Sequence, residues 1–170
     1  ASYRRQRQMC IRDSSLGTGG FKIIKALHGK KNLIYLNLGD NNLSTRNISS
    51  LQNIVCWLKT LILSDNQIKS TNALGNFLSK NNLLNLSVRN NNISDISPLV
   101  EGILESQVNN TCRLELLNVS GNKFKKLPKS IAGLQTVTNF RYINEELNTI
   151  PPKVETWLAT YKRNNERFWN

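Results

Sequence analysis

The chain has 170 residues, of which 39% are hydrophobic, and its formal net charge at pH 7 is +12. This length suits one domain with a substantial core, and no stretch approaches the roughly 18 apolar residues of a membrane span. The charge favours an acidic partner, but the basic residues are scattered along the chain. Composition alone therefore gives weak support to nucleic-acid binding.

The first fourteen residues differ from the rest. The stretch "RRQRQMCIRD" at 4–13 holds four arginines and resembles the frame translation of an adapter used in transposase-based sequencing libraries. We therefore expect residues 1–14 to be a non-native segment, and the chain to be a translated fragment from bulk metagenomic sequencing. The alternative is a genuine basic arm. Excluding the segment removes four Arg and one Asp from the formal charge of +12, which leaves +9.

A repeat organises the middle of the chain. The frame L-x-x-L-x-[LV]-x-x-N-x-[LIF] occurs four times, and a fifth copy keeps its apolar positions but replaces the Asn by Glu145. A fixed period of this kind is typical of solenoids. Because side chains alternate along a strand, each copy predicts one core face and one solvent face. The copies lie at 33–43, 58–68, 83–93, 114–124 and, degenerate, 137–147.

The Asn of each copy stands where the strand must turn. An amide both donates and accepts, so stacked Asn side chains can satisfy the backbone groups that the turn frees. Glu145 cannot donate while ionised, so we expect the ladder to weaken or end there. Met9, Ile11, Ser14 and Leu16 also fall by accident on the L, L, N and L positions of the repeat frame, so the first segment can pair with Tyr35–Gly39 as an extra strand. The predicted ladder is Asn41, Asn66, Asn91 and Asn122.

Residues 20–152 resemble the leucine-rich repeat family. The resemblance implies an α/β fold in a single domain over 15–170: a curved solenoid with a parallel sheet on the concave face and helices and turns on the convex face. The segment "ISDISPL" resembles the repeats of phosphatase-regulatory subunits and bacterial invasion proteins. In contrast, "LPKSIAGL" resembles a shorter class with Pro after the turn. The repeats resemble more than one class, so the partner type known for any single class is not assigned to this chain.

Apolar residues return at helical spacing between the repeats, at 48–58, 73–78 and 99–104. At the C-terminus, prolines precede Val154, Trp157, Leu158 and Tyr161, which follow an i, i+3, i+4, i+7 pattern. Since the ends of a solenoid expose core, we expect a capping helix over about 152–165. The alternative is the beginning of a further repeat.

Catalysis is poorly supported. The one histidine, His28, precedes a Gly that we expect to end a helix, and no second histidine offers a base for Ser or Cys. "GTGG" at 17–20 lacks the Lys-Ser/Thr of a phosphate loop and is expected to be a connection. The chain also offers too few metal ligands. We therefore predict no enzyme activity, no catalytic residue, no cofactor and no metal.

The cysteines bear on the compartment. Cys56 and Cys112 occupy equivalent positions two repeats apart, so they should lie roughly 10 Å from each other, beyond disulfide reach. Two buried thiols favour a reducing, cytoplasmic or otherwise intracellular location. Six N-x-[ST] sequons would instead suit a secreted glycoprotein, but such an Asn-rich chain generates sequons by accident.

The solvent-facing positions of the strands are mostly neutral, with a few large apolar residues and two arginines. Such a surface suits a protein partner, whereas a phosphate backbone would require Lys and Arg along it. The predicted partner-binding residues are Tyr35, Asn37, Thr60, Ile62, Asn85, Ser87, Arg89, Leu116, Asn118, Arg141 and Ile143.

Three functions remain open. The first is a non-catalytic protein–protein interaction scaffold that binds a partner protein on the concave face, with no small-molecule substrate. The second is the recognition module of a larger signalling or ubiquitin-ligase enzyme. The third, which is less favoured, is binding of nucleic acid or an acidic surface through convex lysines around "KFKKLPKS" at 123–130.

Overall fold

A computed structural model describes residues 8–10, 19–26, 32–53, 57–111 and 113–165. Its six three-residue strands form one parallel sheet in chain order, and with the helices this confirms the α/β class and the parallel sheet. The last five strands occupy the third to fifth positions of the five repeats. The strands are β1 (Gln8–Cys10), β2 (Tyr35–Asn37), β3 (Thr60–Ile62), β4 (Asn85–Ser87), β5 (Leu116–Asn118) and β6 (Asn139–Arg141).

Equivalent residues of successive repeats are paired. Leu36 lies beside Leu61, then Leu86, Leu117 and Phe140, and all five are fully buried. The flanking side chains point to the other side of the sheet and form three rows. The first row is Tyr35, Thr60, Asn85, Leu116 and Asn139; the second is Asn37, Ile62, Ser87, Asn118 and Arg141; the third is Gly39, Ser64, Arg89, Ser120 and Ile143. We call these rows the sheet face.

Helical segments cover the core side of the sheet. Each contributes buried apolar residues, among them Ile48, Leu74, Ile103 and Ile131. The helices are α1 (Gly19–Lys25), α2 (Thr45–Ile48), α3 (Asn72–Leu78), α4 (Ser97–Val108) and α5 (Pro152–Asn165), with 3-10 helices at Ser49–Asn53 and Lys129–Gly133. None of these helices, within the described residues, is long and apolar enough to cross a membrane.

Two segments differ from the sequence-based expectation. The apolar stripe at 48–58 folds as the short α2 and a 3-10 helix, and residues 54–56 lie outside the described part. Helix α1 begins at Gly19, so the interpretation of "GTGG" as a connection is wrong at its last two residues. Helical backbone there extends the segment that carries the fully buried Ile24.

The first and last repeat strands, β2 and β6, each have a neighbour on their outer side. β1 pairs with β2 with Met9 beside Leu36, which is the extra strand expected from the spacing of its apolar residues. At the other edge, α5 packs Val154 and Leu158 into the core, and the backbone N–H of Phe140 donates to the hydroxyl of Tyr161. One backbone N–H on the outer edge of β6 is thereby hydrogen-bonded.

Candidate binding face of the sheet

The turn after each strand is fixed by a buried asparagine. The Oδ1 atom of Asn66 accepts hydrogen bonds from the backbone N–H groups of Asn41 and Leu43, at 3.1 and 2.8 Å. Its Nδ2 atom donates to the carbonyls of Leu38 and Leu63, both at 3.0 Å. One side chain thus connects two repeats, which limits how far neighbouring strand ends can move relative to each other.

The same bonding continues along the repeats. Asn91 accepts from Ile68 N–H at 3.0 Å, and Asn122 accepts from Ile93 N–H at 3.1 Å. Glu145 is exposed, and no hydrogen bond of this kind reaches it in the part of the chain that the structure describes. The contacts therefore stop where a carboxylate replaces the amide.

The residue before each ladder asparagine adopts a left-handed conformation. Its φ is 56° at Asp40, 57° at Asp65, 52° at Asn90 and 65° at Gly121. Asp, Asn and Gly are the residues that tolerate this region best. The Nδ2 atom of Asn90 donates to Asp65 Oδ1 at 2.8 Å. The turn edge of the sheet face is therefore acidic near β2 and β3 and uncharged at the corresponding positions after β4 and β5.

Hydrogen bonds between side chains order the polar part of the sheet face. Asn85 Nδ2 donates to Thr60 Oγ1 at 3.1 Å, and the hydroxyl groups of Ser64 and Ser87 lie 2.8 Å apart. Asn37 accepts from the N–H of Gly39 at 2.9 Å. Because these side chains are already held in place, a ligand would pay little conformational entropy to contact them.

The predicted partner-binding residues all lie in the rows of the sheet face. Among the apolar ones, Tyr35, Ile62 and Leu116 are half-buried, and Ile143 is 75% exposed. Asn118 differs from its neighbours because it is only 8% exposed. The face is therefore a polar platform of short strands from which a few apolar groups project.

A cavity of about 1290 Å³ opens at the β4–β6 end of the sheet face. Four of the predicted partner-binding residues line it: Arg89, Asn118, Arg141 and Ile143. The remaining predicted residues, from Tyr35 to Ser87 together with Leu116, do not. The structure thus divides the predicted set into a cavity at one end and an open surface at the other.

The sequence interpretation missed the turn residues of this cavity. Asn90, Gly121, Lys123, Asn144 and Glu146 line it together with the strand residues. Proximity to the ladder asparagine in the repeat frame is the sequence signal that marks these turn positions. Lys123 belongs to the predicted basic cluster, whose other lysines, Lys125, Lys126 and Lys129, do not line the cavity.

His28, Cys56 and Cys112 lie outside the described residues. Within the described ranges, no group of three or more His, Cys, Asp or Glu side chains could hold a metal ion.

Comparison with known families matches residues 32–54 and 113–134 to the model described as Leucine Rich Repeat. These two segments contain the first and fourth repeats, including β2 and β5. Comparison with curated proteins gives no match.

Proposed function

Because the chain belongs to the leucine-rich repeat family, whose repeats generally mediate protein–protein interaction, we propose that it is a non-catalytic scaffold that binds one partner protein. The sheet face, as the concave side of a curved solenoid, is the binding surface. Residues 1–14 are placed outside this functional unit, since their sequence resembles a library adapter.

The observation that carries the proposal is the combination of order and exposure on the sheet face. Its polar groups are held by one another, as in the Asn85–Thr60 and Ser64–Ser87 contacts. The apolar side chains of Tyr35, Ile62 and Ile143 nevertheless reach solvent. Ordered polar groups around a few apolar anchors are the composition of protein interfaces, where a small number of residues supplies most of the affinity.

Electrostatics support a protein over a nucleic acid. The three rows of the sheet face carry two charged side chains, Arg89 and Arg141. A phosphate backbone requires many such contacts to gain affinity. Lysines of the 123–130 segment would bind polyanions weakly and with strong salt dependence.

Substitutions on the face test the proposal. We expect Ile62→Arg and Tyr35→Glu each to abolish recovery of the partner from an extract of the source, because a buried unpaired charge opposes docking. Val108→Arg is the matched control, since Val108 is 81% exposed at the end of α4, away from the sheet face. Far-UV circular dichroism and urea midpoints establish that each variant is folded. Retention of the partner by both face variants, or its loss in the Val108 control as well, would refute the assignment of the face.

A further inference from the structure

We infer that the cavity at the β4–β6 end of the sheet face receives an acidic side chain of the partner protein, a single Asp or Glu carboxylate with an apolar neighbour. This inference rests on the proposed function and specifies the chemistry of its partner. Two independent observations support it. Two arginines that form no ion pair among the described residues line the cavity, and so do two asparagines whose side-chain N–H groups have no acceptor there.

Arg89 and Arg141 are the arginines. Both are exposed, and within the described residues neither forms an ion pair; the one polar side-chain contact is from Arg141 Nε to Asn139 Oδ1, at 3.3 Å. They lie two strands apart and in adjacent rows, which places their Cα atoms roughly 12 Å from each other. Asn118 lies between them in the sheet. Two guanidinium groups around one space favour a carboxylate, to which they donate charge-assisted hydrogen bonds.

The amide groups belong to Asn118 and Asn144. Asn118 uses its Oδ1 atom to accept from the N–H of Ser120 at 3.1 Å and from the same residue's hydroxyl group. Its Nδ2 atom has no acceptor among the described residues, although the side chain is nine-tenths buried and lines the cavity. Asn144 accepts from Glu146 N–H at 3.0 Å, while its own buried Nδ2 atom has no partner. N–H groups that have no protein acceptor beside a cavity favour a ligand that supplies oxygen atoms.

The distribution of charge limits what this ligand can be. Lys123, Glu145 and Glu146 also line the cavity, so it is basic over the strands and acidic at the turn that follows β6. A dianionic phosphate or a polyanion would meet those two carboxylates, whereas a single carboxylate can lie over the strands alone. The 75% exposed Ile143 borders the same space and offers an apolar contact to the residue beside the acid.

A random heptapeptide display library, panned on the full chain, tests the inference. Wild type should enrich peptides with Asp or Glu next to Leu, Ile, Val or Phe, and the Arg89→Gln/Arg141→Gln variant should not. The control is Arg46→Gln/Arg113→Gln, which removes the same charge at exposed positions outside the cavity. For a selected peptide we expect each cavity substitution to weaken binding about tenfold. The acidic peptide should shift the side-chain amide resonances of Asn118 and Asn144. Its Gln analogue, which lacks the charge that the two arginines favour, should bind about tenfold more weakly.

The outcomes separate the two proposals. If selected peptides lack an acidic preference or bind equally well without the two arginines, yet lose binding in Ile62→Arg, the acidic-side-chain inference is wrong and the binding face stands. If no peptide depends on either set of residues, both proposals are wrong. If the Arg46→Gln/Arg113→Gln control also loses binding, the loss is explained by the lower net charge of the protein, and the proposed site in the cavity is wrong.

Discussion

Two neighbouring repeats pack closely where the glycines Gly75 of α3 and Gly102 of α4 meet. A Cβ atom added at Gly102 would lie 2.2 Å from the carbonyl oxygen of Gly75 and 2.6 Å from its Cα atom. That oxygen also accepts the N–H of Ser79 at 3.0 Å, so it cannot turn away without breaking a helical hydrogen bond. Gly102→Ala therefore requires the two helices to separate by about 1 Å to restore an ordinary contact.

The cost of this separation exceeds what alanine gains. Overpacking of a well-packed interface costs about 1–3 kcal/mol. The upper half of this range, about 2–3 kcal/mol, applies here because the obstructing atoms are backbone, and because Leu99 and Ile103 of α4 are fully buried and must move with the helix. Alanine is better than glycine in a helix interior by about 1 kcal/mol. We expect Gly102→Ala to lower the free energy of unfolding by roughly 1–2 kcal/mol.

Urea unfolding followed by far-UV circular dichroism measures this difference. With a slope of about 2 kcal/mol/M, the midpoint should fall by about 0.5–1 M while the slope is unchanged. Gly133→Ala is the control: the nearest atom to its added Cβ is Leu104 Cδ2 at 3.1 Å, the end of a flexible side chain, so its midpoint should barely move. A Gly102→Ala protein as stable as wild type would show that the backbones of α3 and α4 are not in contact.

Two further predictions concern the ladder and the terminal helix. Asn66→Leu leaves the buried N–H groups of Asn41 and Leu43 without their acceptor, so the free energy of unfolding should fall by about 2–4 kcal/mol. The control is Asn76→Leu at an exposed position, which should leave the urea midpoint near that of wild type. Equal effects of the two changes would contradict a role for the ladder in stability. Tyr161→Phe removes the acceptor of Phe140 N–H and should cost about 1–3 kcal/mol. Burial raises the pKa of the Tyr161 phenol above its ordinary value of 10.0, although the hydrogen bond from Phe140 lowers it. Folding thus favours the neutral phenol, so the contribution of Tyr161 to the free energy of unfolding is complete below pH 10 and is lost as the pH rises through the raised pKa. Wild type should therefore lose more stability than Tyr161→Phe between pH 9 and 11.5. Parallel losses in the two proteins would refute this role of Tyr161.

The strands were predictable from the sequence because two constraints coincide there. Alternation of side chains fixes which residues are buried, as at Leu36 and Leu61, and the repeat fixes the register between neighbouring strands. The segments on the core side follow neither constraint. Their backbone depends on how many residues connect two strands, so α4 has twelve residues whereas 129–133 folds as a 3-10 helix. The Gly75–Gly102 contact, which depends on the packing of two such segments, had no signal in the repeat frame.

The sequence predicts strand residues that line the cavity but not the direction of their amide groups. The asparagines of the second row show why. Asn37 and Asn118 occupy the same row, and each accepts a hydrogen bond from the backbone N–H two residues later, at Gly39 and Ser120. A backbone N–H can only donate, so it fixes the amide with Oδ1 toward the strand and Nδ2 directed away from this bond. An asparagine at this position, followed two residues later by a small residue, therefore contributes a donor to the sheet face. The repeat frame identifies the position, but the direction of the amide, and hence the hydrogen-bond donor that the proposed partner would meet, depends on the fold.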